Sequence, residues 1–154
     1  MARVAYGSSA LKILLILFSL LLAMRSTGSL NTALNVLGTP LQLCCAAPMT
    51  GYFRDGFCHT SSADSGRHTV CAIVTPQFLS FTKSKGNDLE TPHPPSFPGL
   101  RPGDRWCLCA GRWLEAYKAG AAPGVVLEAT NQQALTVVPL EALQEHAVRE
   151  AAVE

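Results

Sequence analysis

Charge is scarce in this chain. Only 15% of its 154 residues are Asp, Glu, Lys or Arg, too few for a solvated disordered segment or a basic tail. The formal net charge is +1, so the clustered cations that hold duplex DNA or RNA are missing, and no nucleic-acid partner is expected. A membrane-length apolar run is absent too. The stretch Ile13 to Met24 is apolar except for Ser19 but holds only twelve residues, against about 20 for a spanning helix. There is no Gly-rich loop ending in Lys-Ser/Thr, no His-Glu-x-x-His and no Gly-x-Ser-x-Gly, so common nucleotide, zinc-protease and hydrolase chemistries are not signalled. No Cys-x-x-Cys occurs, which removes the paired knuckle of many zinc sites. No Asn-x-Ser/Thr and no C-terminal Lys-Asp-Glu-Leu occur, absences compatible with either side of a membrane.

What is present begins with an uneven distribution of charge. Residues 1–28 carry Arg3, Lys12 and Arg25 and no acid, leaving nine bases against eleven acids beyond them, a formal −2. Two bases, a twelve-residue apolar run and then Arg25-Ser26-Thr27-Gly28 follow the layout of a secretory signal peptide. The expectation is a leader that engages membrane or translocon and directs residues 29–154, a single domain, to the secretory pathway or the outside. Arg25, directly after the run, keeps an uncleaved membrane anchor in play. An organelle transit sequence, or a start codon assigned too far upstream of a cytosolic domain, is the other alternative.

The domain predicts an α+β fold, with three or four short strands, two or three helices and a long proline-rich loop. Asn35 to Pro40 reads as an extended lead-in ending in a turn. Asp55-Gly56, flanked by aromatics between Met49 and Cys58, predicts a tight hairpin. His68 to Val74 is rich in β-branched residues and predicts a buried strand. Thr75 then supplies a helix N-cap, Pro76 suits the first helical position, Phe78, Leu79 and Phe81 form an apolar stripe, and Gly86 stops the helix. Five of the ten prolines (Pro92, Pro94, Pro95, Pro98 and Pro102) lie within 92–102. Their fixed φ and missing donors exclude a central element over 87–105 and imply a functional loop or a packed cover. Trp106 to Ala110 alternates as a strand, with Cys107 and Cys109 on one face. Arg112 to Ala119 predicts a helix stopped by Gly120, and Val125 to Ala129 a third strand. Thr130 is placed to cap a helical turn through Leu135. Thr136 to Val138 predicts a short fourth strand, and Leu140 to about Ala151 a terminal amphipathic helix.

Several stretches together resemble a known family. They are Asn35-Val36-Leu37-Gly38-Thr39-Pro40-Leu41-Gln42, Cys44-Cys45, Thr50 to Cys58, His68-Thr69-Val70-Cys71-Ala72, Gly86-Asn87-Asp88-Leu89, Phe97-Pro98-Gly99-Leu100, Gly103 to Cys109 and Val126 to Thr130. Over about residues 35–147 the chain resembles the bacterial, archaeal and algal proteins catalogued as domain of unknown function 2237. The resemblance implies a small single domain and brings no catalytic residues with it. The chain departs from the family pattern in its leader, since members usually begin near the Asn-Val-Leu-Gly stretch. It departs again at Leu43, where the pattern has proline before the cysteine pair.

Six cysteines, Cys44, Cys45, Cys58, Cys71, Cys107 and Cys109, are an even number, which in an exported chain points to disulfides and in a cytosolic one to buried thiols or a metal site. Together with His68 they form the candidate thiol, redox or metal cluster, with His59 a further metal-ligand candidate. No cofactor is signalled, and a metal ion is the single candidate. His68 precedes Cys71 by three residues and could serve as its base, but positions three apart on a strand point to opposite faces. Arg101, Arg105 and Arg112, around Trp106 with Asp104, form a candidate anion pocket, guanidinium groups suiting carboxylate or phosphate; pairing of Arg105 with Asp104, or of Arg54 with Asp55, is the plainer account. Two functions stand side by side. One is a non-catalytic structural or binding domain stabilised by its cysteines; the other is a thiol- or metal-dependent enzyme or redox protein built on them. Neither substrate nor protein partner follows from the residues.

Overall fold

A computed structural model describes residues 33–148; the expected leader and the chain past Val148 lie outside the described residues. The centre is a three-stranded antiparallel sheet in the order β2-β1-β3. Its strands are β1 (His68–Ile73), β2 (Arg105–Cys109) and β3 (Gly124–Val125). Three α-helices accompany it, α1 (Pro76–Ser84), α2 (Ala110–Lys118) and α3 (Leu140–Glu145), with 3-10 turns at Leu127–Ala129 and Gln132–Thr136. The fold is therefore the expected small α+β domain.

The unit from β1 to α1 follows local chemistry. β1 runs through buried Val70, Cys71 and Ala72, and Thr75, still extended, caps the following helix as its hydroxyl accepts from the Phe78 N–H. Pro76 opens the helix, where a missing N–H costs nothing. Gly86, at φ 80°, takes the left-handed turn after the helix that a Cβ would resist. Phe78, Leu79 and Thr82 are the buried positions; Phe81, expected in the stripe, lies at its margin.

Strand alternation divides the sheet into two faces. On one, Val70, Ala72, Trp106 and Leu108 pack with Phe78 and Leu79 of α1, Trp113 and Ala116 of α2, and Leu143 of α3. On the other, Cys71 and Cys107 join Cys44, Cys58, Val126 and Ala129. Helices cover the first face and the loop 41–58 covers the second. Trp113 is fully buried, and its indole N–H donates to the Pro123 carbonyl at 3.2 Å, so the largest core residue carries no unmet donor.

The lead-in is tied down by one buried amide. The Asn35 side-chain N–H₂ donates to Thr39 Oγ1 and the Glu128 carbonyl, and its Oδ1 accepts from the backbone N–H of Leu37 and Thr39. The proline-rich loop is anchored at its end, where Leu100 is buried and Phe97 meets Trp106 edge-on at 5.5 Å, while residues 91–96 are exposed.

Five expectations are corrected. Residues 49–58 form no hairpin. Gly56 takes the expected positive φ, at 85°, but Asp55 does not, and Arg54 does at 54°; the Asp55 carboxylate instead accepts from the Phe57 N–H and bonds the His59 ring. The third strand stops at Val125 because Thr130 Oγ1 donates to the Val126 carbonyl and draws the chain into a 3-10 turn. Among the described residues no fourth strand forms; Thr136 ends the second 3-10 turn, which Asn131, not Thr130, caps. Finally, α3 ends at Glu145. The edge of β3 takes the following residues: Val125 N–H donates to the His146 carbonyl, and Val148 N–H donates back to Val125.

Candidate functional site

The six cysteines separate into a sealed group and two free thiols. Cys44 bridges Cys71 and Cys58 bridges Cys107. These four are at most 3% exposed. Cys71 and Cys107 are direct partners across β1 and β2, so the two bridges stand side by side and staple the loop 41–58 to the sheet. The loop also closes the edge strand: Cys107 N–H donates to Thr50 Oγ1 at 2.8 Å. Gly51, at φ 92°, is required here, since a Cβ would fall 2.2 Å from the Phe57 carbonyl oxygen.

Cys45 and Cys109 remain thiols, both half-buried. The Cys45 thiol donates to the Ala47 carbonyl at 3.2 Å. Cys109 ends β2 and is the N-cap residue of α2, with no side-chain capping bond. Beside it is a pocket of about 230 Å³ whose wall includes His68, Asn87, Cys109 and Arg112.

His68 does not approach Cys71, which is bridged. A register slip between His68 and Val70, a β-bulge, places His68 rather than Thr69 opposite Cys109. Its ring Nδ1 meets Asp64 Oδ1 at 2.6 Å, and its backbone N–H donates to Asp64 Oδ2 at 2.8 Å. The Asp64 side chain is 1% exposed. Burial opposes its charge, but the hydrogen bonds from His68 and Thr60 and the attraction of the imidazole prevail, holding its carboxyl below the usual range. Asp64 escaped the sequence reading because it lies in a polar loop; its spacing of four residues before His68 is the one local signal. His59 is held apart by Asp55 at 2.7 Å.

The three arginines do not converge. Arg105 opens β2, Arg101 lies in the loop before it, and Arg112 is in α2 beyond the far end of the strand, an end about 13 Å from Arg105 at 3.3 Å per residue. The Arg101 backbone N–H donates to the Asp104 carboxylate. Arg112 bonds Glu115 at 3.0 Å and the Lys85 carbonyl at 3.3 Å, and of the three it alone lines the Cys109 pocket. A second pocket, of about 530 Å³, lies among Pro48, Met49, Pro92 and Pro94 to Pro98. Its one cation, Arg54, is committed to the Trp106 ring at 4.9 Å and to the Gly51 and Ser96 carbonyls.

Fold and cysteines define a small α+β domain braced by two disulfides. The chain belongs to the family described as uncharacterized protein conserved in bacteria (DUF2237), whose model matches residues 34–147. No curated protein matches the chain.

Proposed function

We propose that the chain is an exported domain, directed by its N-terminal segment, that acts by binding and uses its four bridged cysteines for stability. The observation that carries this reading is the pair of adjacent, buried bridges joining the loop 41–58 to the sheet. Such bridges persist in oxidising compartments and are rare in the cytosol. The leader and the bridges point the same way, since an exported chain meets the oxidants that close them. Among the described residues no helix is long and apolar enough to cross a membrane.

The test is expression of the full chain in a cell with a secretory route. The expected outcome is a product in the medium, shortened near residue 28, with two free thiols after denaturation, Cys45 and Cys109. An intracellular product with all six thiols reduced would overturn the reading.

One observation favours a second reading. The Sγ atoms of Cys44, Cys58 and Cys71 lie within 4.8 Å of one another, and the sulfur of Cys107 is bonded to that of Cys58. In tetrahedral zinc thiolate sites, sulfurs stand about 3.8 Å apart, from a Zn–S bond of about 2.3 Å. In a reducing compartment the same four side chains would supply a zinc site. Stoichiometric zinc on the reduced chain, lost on Cys71→Ser, would establish that reading; no binding would dismiss it.

A further inference from the structure

Cys109 shares its pocket with the bridged Cys107 but differs from it in reactivity. It is a free thiol, it opens α2, and it faces His68 across the β1–β2 ladder. The bulge there sets two β1 residues, His68 and Thr69, against the single Cys109. His68 and Cys109 line the same pocket.

The His68 ring is held from three sides. Asp64 binds Nδ1, the Tyr52 ring stacks against it at 6.3 Å, and Gly66 leaves it room, because a Cβ there would fall 2.6 Å from its Cε1 atom. With Nδ1 engaged by a buried carboxylate that keeps its charge at neutral pH, Nε2 is the ring nitrogen left for the thiol. The positive end of α2 favours negative charge on the sulfur that starts it.

We propose that Cys109, with His68 as its base and Asp64 as the positioning residue, is a thiol–disulfide exchange site for a low-molecular-weight disulfide bearing carboxylates. His68 Nε2 takes the proton of the Cys109 thiol. The thiolate attacks one sulfur of the substrate disulfide, so a Cys109–sulfur bond forms as the substrate sulfur–sulfur bond breaks. The electron pair leaves on the second substrate sulfur, which takes the proton back from His68 and departs as a thiol. Cys109 is oxidised to a mixed disulfide and the departing half is reduced, with no further oxidant. A pocket of about 230 Å³ is smaller than the ~300–1,000 Å³ of most ligand sites, which favours a small disulfide over a polypeptide. Arg112 in its wall supplies the carboxylate contact; its pair with Glu115 has both side chains about two-fifths exposed, a weak pairing that a ligand carboxylate can replace.

The test uses the full chain, with Cys45 as the control thiol inside the same molecule. Dithiodiglycolate, a dianionic disulfide, and cystamine, a dicationic one, are added separately, and adducts at the two cysteines are timed by peptide mass mapping. Expected are a rate at Cys109 at least about ten-fold above that at Cys45 and a preference for dithiodiglycolate at Cys109 alone. His68→Gln should slow Cys109 about ten-fold without changing Cys45, and Arg112→Gln should remove the preference for the anion. Asp64→Asn should move the pH profile of the Cys109 rate. In concentrated guanidinium the two thiols should react alike, a readout that needs no variant to fold. Equal rates in the native chain, or a Cys109 rate indifferent to His68→Gln in a folded variant, would overturn the site. Preference for cystamine would overturn the substrate class.

Discussion

Removing the Cys58–Cys107 bridge tests the idea that cysteines stabilise this fold. The bridge spans 49 residues of sequence, and closing a loop of that size removes about 14 cal/mol/K from the unfolded chain, or about 4 kcal/mol at 25 °C. The Cys44–Cys71 bridge spans 27, worth about 3.5 kcal/mol on the same scale. The loops overlap, so each restrains a chain already shortened by the other, and the two values do not add. For a domain with total stability of about 5–15 kcal/mol, loss of either bridge is a large change. The variant is Cys58→Ala with Cys107→Ala, because alanine leaves no unmet hydroxyl in a dry cluster. Urea unfolding of the oxidised full chain should show stability lower by about 2–5 kcal/mol, and a larger m-value because the freed chain exposes more surface. A loss under about 1 kcal/mol with unchanged m would refute the reasoning and mean that packing alone holds the loop 41–58.

Three further outcomes follow from single contacts. Asp64→Asn should cost about 1.5–3 kcal/mol at pH 7, the range for hydrogen bonds to a charged group, measured by urea unfolding. The Asp64 carboxyl is held below its ordinary value, so its stabilisation is complete above about pH 4 and is lost as pH falls through the lower, folded value. The variant should therefore show a shallower loss of stability below pH 4, and an identical acid profile would contradict the assignment. Gly51→Ala should destabilise by more than the ~1–2 kcal/mol of a left-handed backbone, because the added carbon also meets the Phe57 carbonyl; a neutral melting temperature would show that the turn can relax. Thr75→Ala should cost about 1 kcal/mol through loss of the 3.1 Å bond to Phe78 N–H, while Thr75→Ser should retain most of it.

Legibility tracked how local the determining contacts are. The run from His68 to Gly86 was readable because a strand, its cap, a proline and a stopping glycine each act within four residues. The alternation of Trp106 to Cys109 likewise placed Trp106 and Leu108 on one face and Cys107 on the other. The segment 49–58 was not readable: its aromatics and Asp55-Gly56 suit a hairpin, yet bridges and hydrogen bonds to distant strands fold it otherwise. The pairing of six cysteines was open in principle, with fifteen connectivities when all are bonded. The approach of His68 to Cys109 needed a one-residue bulge, which no periodicity in β1 announces.

The division between bridged and free cysteines follows from what covers each part of the sheet. The face carrying Val70, Ala72, Trp106 and Leu108 is closed by helices with apolar stripes. The opposite face meets the loop 41–58, which buries Leu41 but leaves the large apolar side chains of Leu43, Met49, Tyr52 and Phe53 exposed. That loop contributes little burial to hold itself in place, so covalent bridges do what packing does on the helical side. The bridges form only where the loop crosses the strands, at Cys71 and Cys107. Cys109, two residues further along β2, has no bridging partner in the loop and lines the pocket with His68. The same loop that seals four sulfurs thus leaves Cys109 a half-buried thiol in the pocket that His68 lines, which is why stabilisation and reactivity can be assigned to different cysteines of one strand.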